Sequence, residues 1–220
     1  MLLFPLQGKR LFWLLLMSVA AVLFQAVNTF SSVLAMGLGA LWWLMAFKLA
    51  GDALGNAAFG HERAPAAFLD GSAARQVALG VGLFGFAWGI GFLFGNTATL
   101  VACAGLALVL PAMAMVLVME GSLLRAIDPS EWYRLLRLVG SRYLVLTLQL
   151  TALASMVALA FVFLIASLPP WLATAVMHFL ALYALLAGYH AMGTLVGGRR
   201  MRSSEPSKLP WSWSAVFELP

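Results

Sequence analysis

Residues 77–119 read VALGVGLFGFAWGIGFLFGNTATLVACAGLALVLPAMAMVLVM and contain no charged side chain. A membrane-spanning helix needs about 20 apolar residues, so this stretch is long enough for a pair of them. Gly95 and Asn96 lie near its centre, and both residue types favour tight turns. The stretch therefore predicts two membrane-crossing helices, 77–94 and 97–119, joined as a hairpin.

The rest of the chain repeats this pattern. Short uncharged links, Asn28-Thr29 and Pro169-Pro170, separate two further pairs of apolar runs. Of the 220 residues, 63% are apolar and 10% are charged, whereas a soluble domain carries roughly 25% charged residues. The sequence predicts an all-α fold, a polytopic transmembrane six-helix bundle of three outward-pointing hairpins. The remaining spans are 11–27, 30–47, 143–168 and 171–192.

The positive charges of the chain all lie on one side of this span map. The 13 Lys and Arg residues fall before the first span, in the two longer links, or after the sixth span. The positive-inside rule places such residues in the cytoplasm. We therefore expect a multi-pass inner-membrane protein with cytoplasmic N- and C-termini. Residues 1–198 form its membrane domain, and 199–220 form a basic, tryptophan-containing cytoplasmic tail.

The link after the fourth span predicts a short amphipathic helix. The motif Asp128-Pro129-Ser130-Glu131 places an acid at the N-cap, proline at the first helical position and Glu at the third, which is typical of a helix start. The residues that follow are apolar on one face and basic on the other, which favours an interfacial position in the membrane. A weaker counterpart is predicted at 65–74.

Anionic lipid headgroups are the expected partners of the cytoplasmic face, because its basic residues adjoin apolar spans. Nucleic acid is not an expected partner, whereas another membrane protein is. The basic residues expected to contact lipid are Arg134, Arg137, Arg142, Arg199 and Arg200.

His178 is the ionisable residue that lies well inside a predicted span. Buried ionisable groups in a membrane are costly and are therefore candidates for function. His178 shares a helix face with Thr174, so we expect it to point into the bundle. An outward-facing polar pocket is one interpretation; interhelical hydrogen bonding without further function, worth roughly 0.6–2 kcal/mol per bond, is the other. The other residues of this pocket are Gln25, Asn28, Asn96 and Thr99.

A catalytic site has weaker support in the sequence. His61-Glu62 begins like the zinc motif HExxH, but Pro65 breaks the helix that this motif requires. Together with His190 these residues are the candidates for an interfacial enzyme site, although their spacing is not that of a metal site. The sequence predicts no cofactor and no metal site. Whether the protein is an enzyme stays open, and the sequence leans against it.

Small residues in two spans favour helix packing. In the third span, Gly82, Gly85 and Gly89 share one face while Gly80 and Gly91 lie nearly opposite. Glycine lets helix backbones approach closely in a membrane, so this distribution predicts a central helix with neighbours on both sides. The fifth span carries a similar stripe of small and hydroxylated residues: Thr147, Thr151, Ala154, Ser155 and Ala158.

Two parts of the sequence resemble a family of uncharacterised bacterial six-helix inner-membrane proteins. The first runs from Pro111-Ala112-Met113-Ala114-Met115 through Glu120 and Ala126-Ile127-Asp128-Pro129 to Gly140, and the second includes Ala64-Pro65. The family is distantly similar to the membrane domain found beside some glycerophosphodiester phosphodiesterases. The resemblance covers roughly 50–198. It implies six helices and cytoplasmic ends, and it brings no activity and no functional residues.

Three classes of function are compatible with these features. The first is a non-catalytic scaffold, assembly factor or regulatory component that acts through helix packing and its basic cytoplasmic face. It leads because no Asp, Glu, Lys or Arg lies in the middle of a predicted span. The second is a small permease or lipid-handling protein that uses the polar pocket near His178. The third is an interfacial enzyme built on His61, Glu62 and His190.

Overall fold

The structure, a computed structural model, describes residues 8–28, 32–59 and 71–200. Every regular element in these ranges is a helix, which confirms the predicted all-α class. The elements in chain order are α1 (Gly8–Asn28), α2 (Ser32–Phe59), α3 (Ser72–Phe94), α4 (Asn96–Glu120), α5 (Leu123–Ile127), α6 (Pro129–Val139), α7 (Ser141–Ser167) and α8 (Pro170–Arg200).

Four of the described helices have the length and composition of membrane spans. All four lie over spans predicted from the sequence, and α1 adds a shorter apolar stretch, Arg10–Phe24. These helices indicate a membrane protein that crosses the bilayer several times. The four stretches are Ala73–Phe94, Asn96–Glu120, Ser141–Ser167 and Pro170–Gly197.

Helices α1, α2 and α8 pack together at the centre of the described fold. A Cβ atom on Gly197 of α8 would lie 2.8 Å from the carbonyl oxygen of Ala57 and 2.9 Å from that of Ala58 in α2. A Cβ atom on Gly193 would overlap the carbonyl oxygen of Leu54. Such close approach increases van der Waals contact, which drives helix association where lipid provides no hydrophobic gain. These two glycines therefore serve packing within the chain.

The two ends of the bundle differ in charge. The turns at Gly95, between α3 and α4, and at Pro169, between α7 and α8, lie at one end, the turn end. The opposite end carries Lys48 of α2, Arg75 of α3 and Glu120 of α4, and it is the charged end. Most of the fully buried side chains of α2, α3, α4 and α7 lie toward the charged end.

Helix α4 changes its environment at Pro111. No side chain is buried among the described residues 96–110, whereas every residue from 111 to 117 is buried. Proline has no N–H, and the next N–H, that of Ala112, donates to the Tyr143 hydroxyl at 3.2 Å. The same hydroxyl donates to the carbonyl oxygen of Leu108 at 2.5 Å. A side chain of α7 is thus inserted into the backbone ladder of α4 where α4 joins the core.

Helix α3 has one protein-facing side and one open side. Gln76 and Leu79 are buried on the first side. On the second, a Cβ atom on Gly82, Gly85 or Gly89 would have no atom of the described chain within 4 Å. The expectation of neighbours on both sides of this helix is therefore wrong for the described chain, in which α3 contacts α2 and α4 while the face of Gly82, Gly85 and Gly89 has no neighbour.

The predicted amphipathic helix is present as α6, and part of its apolar face is covered by protein. The Asp128 carboxylate accepts a hydrogen bond from the Ser130 N–H at 2.9 Å, and this bond lowers the pKa of Asp128. Leu135 and Val139 are buried in the core, where α6 contacts α4, α7 and α8. Part of the apolar face of α6 thus packs on protein next to the turn at Gly140, and the interfacial position of the helix stays a prediction.

The links differ from the prediction in two further details. Helix α5 is an additional short element, and the Ser122 hydroxyl caps it by accepting a hydrogen bond from the Arg125 N–H at 3.4 Å. The second amphipathic helix, predicted at 65–74, falls mostly outside the described residues. Its final part, from Ser72 onward, belongs to α3.

Candidate functional site

His178 is held between α8 and α2. Its Nδ1 lies 2.8 Å from the carbonyl oxygen of Thr174, and because a carbonyl only accepts, Nδ1 carries the proton. The imidazole meets the Trp42 ring edge-on, with centroids 5.1 Å apart and an interplanar angle of 85°. The Trp42 Nε1–H in turn donates to the carbonyl oxygen of Met17 at 2.9 Å. His178 therefore points into the bundle, as predicted, and helps α1, α2 and α8 to pack.

The other members of the predicted polar pocket have different neighbours. Asn96 is exposed at the start of α4. The Thr99 hydroxyl donates to the carbonyl oxygen of Gly95 at 3.2 Å, and it lies against Gly91 of α3. The side chains of Gln25 and Asn28 lie outside the described residues. The hydrogen bonds and ring contact described for His178 and Thr99 do not join them to each other, and the pocket stays a prediction.

The interfacial enzyme site also stays a prediction. His61 and Glu62 lie outside the described residues, and His190 is half-buried on α8. Within the described ranges, no group of three or more His, Cys, Asp or Glu residues is placed to hold a metal ion.

The arginines expected to contact lipid differ in their surroundings. Nη1 of Arg134 lies 3.2 Å from Oε1 of Glu131. The Arg137 guanidinium lies over the Tyr133 ring, 4.8 Å from its centroid. Arg142 is exposed at the start of α7. The side chains of Arg199 and Arg200 lie outside the described residues. Arg134, Arg137 and Arg142 are exposed, as lipid contact requires, and that contact stays a prediction.

Polar side chains that the sequence analysis missed lie where α2 meets α3 at the charged end. Lys48 is 7% exposed, and its Nζ lies 3.4 Å from Oδ1 of Asp52. Gln76, which is 5% exposed, faces Gly51, with its Nε2 2.6 Å from the position of a Cβ atom there. Because Lys48 and Asp52 lie on the same helix, their attraction offsets part of the cost of burying Lys48 within α2. In the sequence, the four-residue spacing of Lys48 and Asp52 was the pattern from which this ion pair could have been predicted.

A second missed contact surrounds Glu120 at the end of α4. Its side chain is 4% exposed, and Oε2 accepts a hydrogen bond from Nη1 of Arg125 at 2.5 Å, which raises the pKa of Arg125. Arg75 of α3 lies beside the same turn, with Nη2 3.6 Å from a Cβ position on Gly121 and Nη1 3.8 Å from one on Gly71. Arg75 Nε and Glu120 Oε1 are buried without a hydrogen-bond partner among the described residues.

Helix α7 presents hydroxyl groups on a face that the described chain does not cover. Leu150 lies against α8, 3.0 Å from a Cβ position on Gly188. Thr151 and Ser155 point elsewhere, are exposed, and form no side-chain hydrogen bond within the described chain. The predicted packing of this stripe holds for Thr147, which is buried and donates to the carbonyl oxygen of Tyr143 at 3.0 Å.

Comparisons with known proteins add no assignment to these features. No protein-family model, no curated protein and no solved structure matches the chain. The candidate sites therefore rest on the residues and their geometry.

Proposed function

We propose that this protein is a scaffold or assembly subunit of the bacterial inner membrane that binds transmembrane helices of partner proteins. In this proposal six spans form three hairpins, and the charged end and both termini face the cytoplasm. The observation that carries the proposal is a pair of uncovered helix faces. These are the glycine face of α3, formed by Gly82, Gly85 and Gly89, and the hydroxyl face of α7, formed by Thr151 and Ser155.

The shape of the glycine face favours a helix over lipid as its neighbour. The exposed side chains of Phe86 and Trp88, 58% and 68% accessible, flank the three glycines. The result is a shallow groove between two bulky walls. A partner backbone gains van der Waals contact by entering such a groove, whereas a mobile lipid chain gains little there.

The chemistry of the hydroxyl face supports the same proposal. A hydroxyl group that faces hydrocarbon has no partner except its own helix, and the side-chain hydrogen bonds found among the described residues include none from Thr151 or Ser155. A neighbouring helix offers carbonyl oxygens or polar side chains to such groups, and these interhelical bonds are worth about 0.6–2 kcal/mol each. Both uncovered faces thus suit a polypeptide neighbour.

Photo-crosslinking in the native membrane tests the proposal. A photoreactive amino acid at Ser155 should yield one discrete protein adduct, because a partner helix covers this face. The same probe at Met156, which is 67% exposed on another face of α7, is the matched control and should yield mainly lipid adducts. A second copy of this chain in the adduct would also support the proposal. Lipid adducts alone at Ser155 would contradict it.

The orientation of the chain is tested separately by cysteine labelling in a Cys103→Ser background. A membrane-impermeant thiol reagent added from the periplasm should modify Asn96→Cys in intact cells. It should modify Ser203→Cys only after the membrane has been breached, because the positive-inside rule places the basic tail in the cytoplasm. The reverse labelling pattern would invert the topology.

A lipid-handling protein is the second candidate function. The observation that favours it is the uncovered half of α4, residues 96–110, which leaves the core at Pro111 and opens the bundle toward the turn end. A lipid chain that enters there would approach α7. Under this alternative, the photoreactive probe at Ser155 gives one enriched lipid species and no protein adduct.

A further inference from the structure

Helices α5 and α6 form one connected piece, residues 123–139, named here the lid. The Trp132 Nε1–H donates to the carbonyl oxygen of Ala126 at 2.6 Å, which ties α6 to α5. Leu135 and Val139, which are 2% and 0% exposed, place the lid on the core at the charged end. The lid therefore packs against the core at that end of the described bundle.

A single glycine with positive φ connects each end of the lid to the membrane helices. Gly121 (φ 67°, ψ 15°) follows α4, and Gly140 (φ 65°, ψ −147°) precedes α7. The second conformation is essentially restricted to glycine. Because glycine has no Cβ atom, its backbone angles can change at little steric cost. Both connections are thus suited to act as hinges.

An ion pair links the lid to α4, and only one of the two carboxylate oxygens of Glu120 takes part in it. Glu120 bonds to Arg125 of the lid through Oε2 alone, while Oε1 is buried and without a partner in the described chain. The Arg75 guanidinium lies beside Gly121, the residue that directly follows Glu120. Arg75 Nε is a buried donor without a partner there, and Glu120 Oε1 is a buried acceptor. Burial of such groups without a partner is costly.

We propose that the Glu120 carboxylate pairs alternately with two arginines, Arg125 on the lid and Arg75 on α3. This exchange of ion-pair partners controls how often the lid opens. When Glu120 pairs with Arg125, the lid is held against the core. When it pairs with Arg75, the lid keeps only its apolar contacts and opens more often about Gly121 and Gly140. Arg75 of α3 and Arg125 of α5 both lie near the turn at Gly121, so the exchange requires side-chain rotation of Glu120.

The proposal predicts that removal of Arg125 and removal of Arg75 change the frequency of lid opening in opposite directions. Loss of Arg125 removes the bond that holds the lid, so the lid should open more often. Loss of Arg75 removes the competitor for Glu120, so the lid should open less often. A merely structural role for Arg75 would instead loosen the charged end when the side chain is removed.

Thiol labelling of a buried lid position measures the opening. Val139→Cys in a Cys103→Ser background, purified in nanodiscs, should react slowly with a water-soluble maleimide. Arg125→Gln should speed this reaction about threefold, and Arg75→Gln should slow it by about the same factor, as expected for partly exposed ion pairs. Arg137→Gln, a lid arginine that stacks on Tyr133, should leave the rate unchanged.

Each outcome decides the proposal. An unchanged or faster rate in Arg75→Gln overturns it, as does an Arg137→Gln effect equal to that of Arg125→Gln. Glu120→Gln should speed labelling and abolish the effect of Arg75→Gln when the two changes are combined. If Glu120→Gln does not fold, the single arginine variants still decide. The purified protein suffices, so partner binding does not enter the result.

Discussion

Gly193→Leu is expected to lower the thermal unfolding midpoint of the purified protein by roughly 10 °C. A Cβ atom at Gly193 would overlap the carbonyl oxygen of Leu54 and lie 2.7 Å from Cβ of Ala57. Backbone atoms cannot rotate away as a flexible side chain does, so α8 must move off α2. Overpacking of this kind costs about 3 kcal/mol. Thermal unfolding in nanodiscs, followed by intrinsic tryptophan fluorescence, measures the change.

The matched control is the same substitution on the glycine face of α3. A Cβ atom at Gly82 would meet nothing within 4 Å. Leucine also has a higher helix propensity than glycine. Gly82→Leu should therefore leave the midpoint of the purified protein unchanged or raise it slightly. In the membrane the same variant should weaken binding of a partner helix to the glycine face, because leucine fills the groove. Equal midpoints for Gly82→Leu and Gly193→Leu would contradict the described packing of α8 on α2.

The membrane-crossing helices were predictable because a bilayer imposes a minimum apolar length that soluble packing does not. The uncharged stretch 77–119 predicted two helices, and the structure has α3 and α4 there, separated at Gly95. Helix ends were less predictable, since hydropathy marks the lipid boundary and not the end of backbone hydrogen bonding. Helix α2 continues to Phe59, past the predicted boundary at 47.

Which face of each helix meets protein was only partly predictable. The inward direction of His178 followed from its spacing to Thr174, and the two residues are in contact. The glycine pattern of α3 identified small faces, but a spacing does not say which face the same chain covers. Burial of Lys48 and Glu120 was missed, because both residues lie at the edge of apolar runs and only the neighbouring helices remove them from solvent.

The Tyr143 hydroxyl bridges α7 to the backbone of α4, and Tyr143→Phe is expected to remove this bridge. The hydroxyl accepts from Ala112 N–H and donates to the carbonyl oxygen of Leu108. Its loss leaves the buried Ala112 N–H and the partly buried Leu108 carbonyl oxygen without this partner unless α4 straightens and pairs them directly. Unpaired buried groups cost about 1–3 kcal/mol each, so the unfolding midpoint should fall by roughly 5 °C.

A structural readout separates the two responses of α4. Spin labels at Leu100 of α4 and Phe163 of α7, which are 71% and 69% exposed, report the distance between the helices near the turn end. If α4 straightens in Tyr143→Phe, this distance changes while stability is largely kept; if it does not, stability falls at constant distance. Tyr133→Phe, at an exposed position of α6, is the control and should change neither. Wild-type values for both quantities in Tyr143→Phe would mean that Pro111 alone directs the outer half of α4, and that α7 has no part in holding the bundle open at its turn end.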